Sequence, residues 1–358
     1  IPRAMNVTLT LATRYGLNIL GLLGVSVALY LGRSIFIPIT IAGLLAAILH
    51  PLATKLQTRM RLPWFFSCLA VILLLVLILL AIVLAVASSI PQIVDRLPQT
   101  EEAWQKKYED MARSFQQMSP WPTEGVVPLK ADSTFYRSIK NVFSPENIAI
   151  SLKDFAAVAL PLIAEVTLVL FVILFMLLEG ELLAKKVRSL FGTSHDSTRR
   201  VTGAIEQMGI AIRNYLLWRT IVNVLLGLFV GLIYKIVGLE QWYLWAILTV
   251  ILNYVPYIGT IAAGAAPVAE ALIGGSPQLA IGLIIAYTLI VTFEGYWIIP
   301  RVMGKSMDLN ATTVMVACLY WHLVWGIAGL FLAMPMMAAI KAILLNVDGW
   351  QVWGDLLS

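Results

Sequence analysis

The sequence predicts an all-α integral membrane protein of about eight transmembrane helices, with two proline- and glycine-broken re-entrant hairpins and a small external helical insert. Three observations carry this. Hydrophobic residues make up 60% of the 358 and charged residues only 13%, with a mean hydropathy of +0.86. A soluble domain carries about 25% charged residues. Apolar runs long enough to cross about 30 Å of hydrocarbon recur along the chain. Two of them, "NYVPYIGTIAAGAAP" at Asn253–Pro267 and "GIAGLFLAMP" at Gly326–Pro335, contain residues that a helix in lipid avoids, because a broken backbone leaves polar groups that hydrocarbon cannot satisfy.

The apolar runs come in order. Leu17–Leu31 and Ile35–Leu49 form a tight pair around Gly32-Arg33. Trp64–Ile90 is a long uncharged span closed by Pro91, and Phe155–Leu178 is another, with Pro161 and Glu165 inside it. Thr220–Val237, Trp242–Ile273, Leu279–Ile299 and Ala311–Leu345 complete the set. Lysine and arginine near the spans set the orientation. His50–Pro63 carries Lys55, Arg59 and Arg61 with no acid, and Gly180–Arg219 is rich in bases, ending in Arg213 and Arg219. Both segments are expected on the cytoplasmic side, together with both termini. Pro91–Asp154, with nine acids against eight bases, is then external.

The chain divides accordingly. Residues 1–90 hold three membrane helices, 91–154 the external insert, and 155–219 the fourth span and a cytoplasmic amphipathic helix marked by Val201, Ile205, Met208, Ile212 and Tyr215. Residues 220–345 form the transport core and 346–358 a tail. Within the insert, Trp104, Tyr108, Met111, Phe115 and Met118 recur at spacings of 4, 3, 4 and 3, the stripe of a helix with one packed face. A second insert helix is expected after Ser144 and Pro145, a cap and a first-turn proline.

Composition also excludes functions. The net charge of +5 fits membrane orientation and not nucleic-acid binding. Neither GxxxxGK[ST] nor GxGxxG is present, so the chain is not expected to hydrolyse nucleotides or to act as an enzyme. Cys68 and Cys318 lie apart in apolar runs, and His50, His195 and His322 have no metal spacing. No cofactor or metal is expected.

The breaks point to transport. Discontinuous helices place free N–H and C=O groups around a solute near the midplane. Pro256 and Gly259 would end one half-helix, and Pro267 would kink or restart the next. Asn253 can cap freed groups, while Tyr254 and Tyr257 offer rings with hydroxyls. Gly326, Gly329 and Pro335 form the matching later break, and convergence of the two would build a polar site. Between them, "FEGYWIIPRVMGKSMDLN" sets Glu294, Pro300 and Gly304 in an E-x5-P-x3-G pattern with Arg301 beside the proline. An acid in an apolar run is costly and marks function. A salt bridge from Glu294 to Arg301 and a proline kink used for packing are the structural alternatives. Glu165 and Glu270 are the other intramembrane acids.

Those motifs in order, "ILNYVPYIGTIAAGAAP", "FEGYWIIPRVMGK" and "GIAGLFLAMP", resemble the autoinducer-2 exporter family of bacterial multi-pass transporters, over nearly the whole chain. "MDLNA", with Asn310 and Ala311, departs from the family, which usually carries a proline there, and the substrate preference is expected to differ accordingly. The resemblance implies an inner-membrane protein of eight spans with cytoplasmic termini that exports a small polar solute resembling autoinducer-2. It leaves open a sodium or lithium/proton antiporter, which needs a titrating carboxylate such as Glu294 or Glu165. Neutral hydrogen-bonding groups such as Asn253, Tyr254 and Asn310 suit the exporter. A scaffold with no transport activity fits poorly with two broken helices. The partners expected are the lipid bilayer, a small polar solute or a monovalent cation or proton, and further copies of the chain. The external stripe and the Gly227-x3-Gly231 spacing offer contacts between copies, and the resemblance implies a ring, with five copies as the working number.

Overall fold

The computed structural model describes residues 11–95, 97–98, 100–118, 136–137, 161, 163–180, 182, 185–186, 195–274, 276–303, 309–346 and 350–357. Among them every regular element is a helix. The order is α1 (Leu11–Leu31), α2 (Arg33–Met60), α3 (Trp64–Val94), α4 (Glu101–Met118) and α5 (Ile163–Gly180). It continues with α6 (His195–Ile236), α7 (Trp242–Leu252), α8 (Ile258–Ile273) and α9 (Pro277–Phe293). A π turn (Glu294–Ile298), α10 (Ile299–Met303), α11 (Ala311–Asn346) and α12 (Gln351–Leu356) complete it. Among the described residues six helices are long and apolar enough to cross a membrane, and three shorter apolar helices accompany them. Their outward faces stay apolar: Leu73, Leu74, Leu77, Ile78 and Leu80 of α3 are all exposed, as lipid contact requires.

α6 is the mast of the molecule. At 42 residues it is about 63 Å long, so the expected amphipathic helix and the fifth span are one continuous element. Tyr215 and Leu216 bury against Leu44 of α2 and against Val314, Cys318 and Trp321 of α11. Farther along, Leu226, Val230 and Tyr234 join the core of α8 and α9. Gly227 and Gly231 let α7 close on α6, since a Cβ at Gly231 would lie 2.7 Å from the Ala246 Cβ and one at Gly227 would overlap Val250. That glycine spacing therefore serves a contact inside the chain. A separate core joins Ala42, Ala46, Leu49 and Ala53 of α2 to Cys68, Val71 and Ile72 of α3 and Ile173 and Leu177 of α5. The expected pair around Gly32 has no loop. Gly32, at φ −88° and ψ 14°, is close to helical and bends the chain between α1 and α2.

The insert stripe is also satisfied internally. Trp104, Tyr108 and Ala112 of α4 bury with Leu97 and Tyr136, with Met111, Phe115 and Ile273 against them. The Tyr136 hydroxyl donates to Glu101 Oε1 at 2.9 Å. Both contacts that suggested association between copies are thus made within one chain. The second insert helix, expected after Ser144, falls outside the described residues.

The two broken runs fold back on themselves. α7 has only 11 residues, about 17 Å, too short for about 30 Å of hydrocarbon. Its start meets the end of α8, where Trp245 Nε1 donates to Glu270 Oε2, so α7 and α8 are antiparallel arms. Pro256, Tyr257 and Ile258 make the reversal. Ile258 N donates to Pro256 O at 2.7 Å, and Tyr257 sits at φ 60°, ψ −65°, a strained γ-turn position for a residue with a Cβ. α8 continues through Pro267 and does not restart there. α11 reverses at Gly326, whose φ 61° and ψ −139° only glycine adopts readily. Asn310 N donates to Leu357 O at 3.0 Å, and a Cβ at Gly354 would lie 2.7 Å from Leu345 Cδ2. Both ends of α11 therefore meet α12, and the 36-residue helix is a hairpin of arms 311–325 and 327–346. Pro335 is buried within the second arm.

Each reversal depends on one glycine that touches the preceding arm. A Cβ at Gly259 would overlap the Leu252 carbonyl oxygen, and one at Gly329 the Trp321 carbonyl oxygen. Gly259→Ala is expected to destabilise the folded chain by about 1–3 kcal/mol through overpacking. Gly282→Ala, where nothing lies within 4 Å, should be neutral or slightly stabilising. Thermal unfolding in mild detergent checks both.

Candidate transport site at the first helix break

A helix that stops inside a low-dielectric interior leaves its last carbonyls without partners. The end of α7 is such a stop, and its carbonyls can be followed one by one. Thr249 O accepts Asn253 N at 3.2 Å, Ile251 O accepts Tyr254 N at 3.3 Å and Leu252 O accepts Val255 N at 2.9 Å. The remaining two turn to α6. Asn223 Nδ2 donates to Val250 O at 3.2 Å, and Arg219 Nη2 donates to Asn253 O. Side chains of one helix complete the broken end of another.

Arg219 does more. Its Nη1 donates to Glu294 Oε1 at 2.9 Å, with both side chains largely buried. The planar guanidinium thus forks between a helix C-terminus and a carboxylate. Glu294 is placed by the π turn that it opens. There Ile299 N bonds to Glu294 O, five residues back, which widens the helix just before Pro300. In a regular helix, Pro300 would clash with the carbonyl of Tyr296. Single π turns of this kind recur at functional sites.

Around this ion pair lie neutral polar groups. Thr220 Oγ1 donates to Leu216 O at 2.6 Å, so the Tyr254 hydroxyl, 2.5 Å away, donates to Thr220. Tyr287 OH donates to Thr260 O at 3.1 Å and lies beside the Asn253 amide without hydrogen-bond geometry. Asn253 is fully buried, yet neither its Oδ1 nor its Nδ2 has a partner, and Asn223 Oδ1 and Trp321 Nε1 lack one too. Each such atom costs about 1–3 kcal/mol.

The sequence-predicted residues divide. Asn253, Tyr254, Pro256, Gly259 and Glu294 are brought together at the break. Tyr257 shapes the turn through its backbone, and its side chain is exposed. Pro267 is packed inside α8. Pro300 is exposed and acts through the π turn. Arg301 is exposed, stacks over Trp297 at 3.8 Å and donates to Trp297 O at 2.9 Å, so it is not the partner of Glu294. Gly304 falls outside the described residues. Asn310 caps α11, its Oδ1 accepting Thr313 N at 2.7 Å, while its Nδ2 donates to Leu356 O. Gly326, Gly329 and Pro335 build the second hairpin, whose Trp321 packs with Tyr215 and Leu216 on α6. The two hairpins meet α6 at neighbouring turns: Tyr215 and Leu216 for the second, Arg219, Thr220 and Asn223 for the first.

Sequence reasoning missed Arg219, Thr220, Asn223 and Tyr287. In the sequence Arg219 closes a stretch rich in bases, although "NYLLWRTIVNVLLG" surrounds it with apolar residues. One base inside a span and one acid inside another is the signal that could have paired them. The acids that lie in apolar runs are engaged or exposed. Glu294 is committed to Arg219. Glu270 accepts Trp245 Nε1 and the Glu240 N–H at the open end of the hairpin. Glu165 is exposed at the start of α5.

A family model described as "AI-2E family transporter" matches residues 18–349. The chain belongs to the AI-2E transporter family. It is a multi-pass membrane protein of a bacterial transporter family, as the apolar helices and the two hairpins require. "AI-2 transport protein TqsA" of Escherichia coli K12 is 25% identical over 350 residues, covering 97% of each chain. A Haemophilus influenzae chain named "Putative transport protein" is 22% identical over 315 residues, 87% of this chain and 86% of its own. "Putative transport protein YueF" of Bacillus subtilis is 24% identical over 322 residues, 88% and 84% of the two chains.

In this AI-2E transporter the Arg219–Glu294 pair should behave as one unit. Arg219→Ala leaves a buried carboxylate and an unpaired carbonyl, and is expected to destabilise the fold by about 3–5 kcal/mol. Adding Glu294→Leu should recover part of that loss, since it removes the stranded charge. A double-mutant cycle on thermal unfolding measures the coupling.

Proposed function

We propose that this transporter exports a small uncharged polar solute, an autoinducer-2-like signal, across the bacterial inner membrane through the break between α7 and α8. The observation that carries the reading is Asn253: fully buried, at the broken end of a helix, with both amide atoms unpartnered. A solute carrying hydroxyl and carbonyl groups can satisfy donor and acceptor together. The site's two charges cancel within the Arg219–Glu294 pair, so a charged solute would find no counter-ion and would lose its hydration. The Tyr254–Thr220 hydroxyl pair and Asn223 extend the polar wall.

The remaining parts of the reading rest on other grounds. The identity of the solute follows the name of the Escherichia coli relative. The topology follows the lysine and arginine distribution, with the insert outside and both termini in the cytoplasm, and export is the direction that the family resemblance implies. Arms too short to cross, meeting at a reversal, make α7–α8 a re-entrant hairpin whose tip lies within the bilayer.

Reconstituted vesicles test this directly. Asn253→Ala should lower autoinducer-2 flux about fivefold or more, the equivalent of about 1 kcal/mol or more of lost hydrogen bonding. Tyr254→Phe should lower it less, because Thr220 keeps its bond to Leu216 O. Sodium/proton exchange by the wild type, with no solute flux, would overturn the reading.

A further inference from the structure

A cavity of about 780 Å³ lies at the opposite end of the α7–α8 hairpin from Asn253. Its walls are the end of α3, α4 of the insert, the turn between α6 and α7, and one face of α8. That face presents Ala262, Ala266 and Ala269, and small side chains there leave the space open. The wall begins at Ala262, three residues past Gly259, about 4.5 Å along the helix, and runs to Gly274. The cavity therefore runs along α8 from the insert side toward the break.

Its polar groups gather at the base. Gln241 lines the cavity and is only 1% exposed. Its Nε2 donates to Gln92 Oε1 at 2.8 Å, while its Oε1 has no partner. Ser276, also in the wall, makes no capping bond with its hydroxyl at the start of α9. Glu270 is held by Trp245 Nε1 and by Glu240 N at 3.0 Å, which fixes the indole and the carboxylate in the wall. Among the described lining residues Glu240 and Glu270 outnumber Lys107, a balance that disfavours anions.

We infer that this cavity is a second solute site, an antechamber on the insert side that receives an uncharged, hydroxylated, ring-sized molecule next to the break. The inference rests on the reading of the break as a transport site and extends the path from it. An aromatic ring, a fixed carboxylate, a buried amide oxygen seeking a donor and an alanine wall suit a compact polyhydroxylated ring. The volume falls in the range of small-molecule sites, about 300–1,000 Å³, and holds such a solute with its waters.

The test uses the full chain in mild detergent with Ser276→Cys as the reporter. Cys68 and Cys318 are both buried and give little background to a maleimide. Saturating autoinducer-2, or D-ribose as a neutral ring probe, should slow labelling at least fivefold. The same protection should persist with Asn253→Ala and vanish with Ala266→Phe, which fills the cavity. Gln241→Leu serves where the phenylalanine variant fails to fold. Absence of protection in the parent reporter chain overturns the inference. So does protection lost with Asn253→Ala but kept with Ala266→Phe, which assigns all binding to the break. Protection by ribose 5-phosphate equal to that by ribose overturns the assignment to uncharged solutes. Protection kept with Asn253→Ala, together with an unchanged export rate in that variant, sinks the break as the transport site and leaves the cavity standing.

Discussion

A helix that ends in a buried, apolar interior must find donors for its last carbonyls, and in this protein α6 supplies them. Asn223 and Arg219 stand one turn apart on α6 and reach Val250 O and Asn253 O at the end of α7. Hydrocarbon offers nothing in their place. The rest of the arrangement follows from that need. Gly227 and Gly231 bring α7 close enough for the reach, and the π turn sets Glu294 where it neutralises the arginine. A buried guanidinium without that carboxylate would be an uncompensated charge, so the break, the mast and the π turn stand or fall together.

The second hairpin gives α6 its other support. Trp321 and Cys318 of α11 pack on Tyr215 and Leu216, one turn from Arg219. α1 in turn holds the hairpin near its reversal, with Ser26 Oγ and Tyr320 OH 2.7 Å apart and Trp325 Nε1 donating to Leu29 O at 3.1 Å. Both reversals use the same device, a glycine lying against the carbonyl of the arm before it. The resemblance between "NYVPYIGTIAAGAAP" and "GIAGLFLAMP" is thus physical as well as textual. Their polar outcomes differ. Among the described residues, the first leaves an amide with two unmet hydrogen bonds, and the second leaves the Trp321 indole N–H.

Much of this was legible in the sequence. Apolar runs gave the membrane class, because length and composition alone decide what hydrocarbon accepts. Proline and glycine placed both breaks, since those residues act on the backbone locally. What escaped was the pairing between distant elements. Arg219 read as one base among several in a cytoplasmic stretch, and nothing local says that it meets Glu294 75 residues away. Arg301, near in sequence to Glu294, stacks instead on Trp297. The stripe of Trp104 and Tyr108 was visible as a packed face, but its partners Tyr136 and Ile273 were not, so it suggested a second copy. Pro267 and Pro335 read as breaks because a proline removes a hydrogen bond, yet both lie within arms that continue past them.

The central claim is that the fork of Arg219, and not its charge alone, holds the broken end of α7 and the Glu294 carboxylate in one site. Arg219→Lys isolates that claim, because lysine keeps the charge but cannot present two parallel donors to two acceptors. Solute flux through the lysine variant, measured in reconstituted vesicles against its thermal stability, is the decisive measurement. The expected result is a folded protein that has lost most of its flux, about tenfold or more if one charge-assisted hydrogen bond of about 1.5–3 kcal/mol is missing. Flux equal to that of the wild type would contradict it.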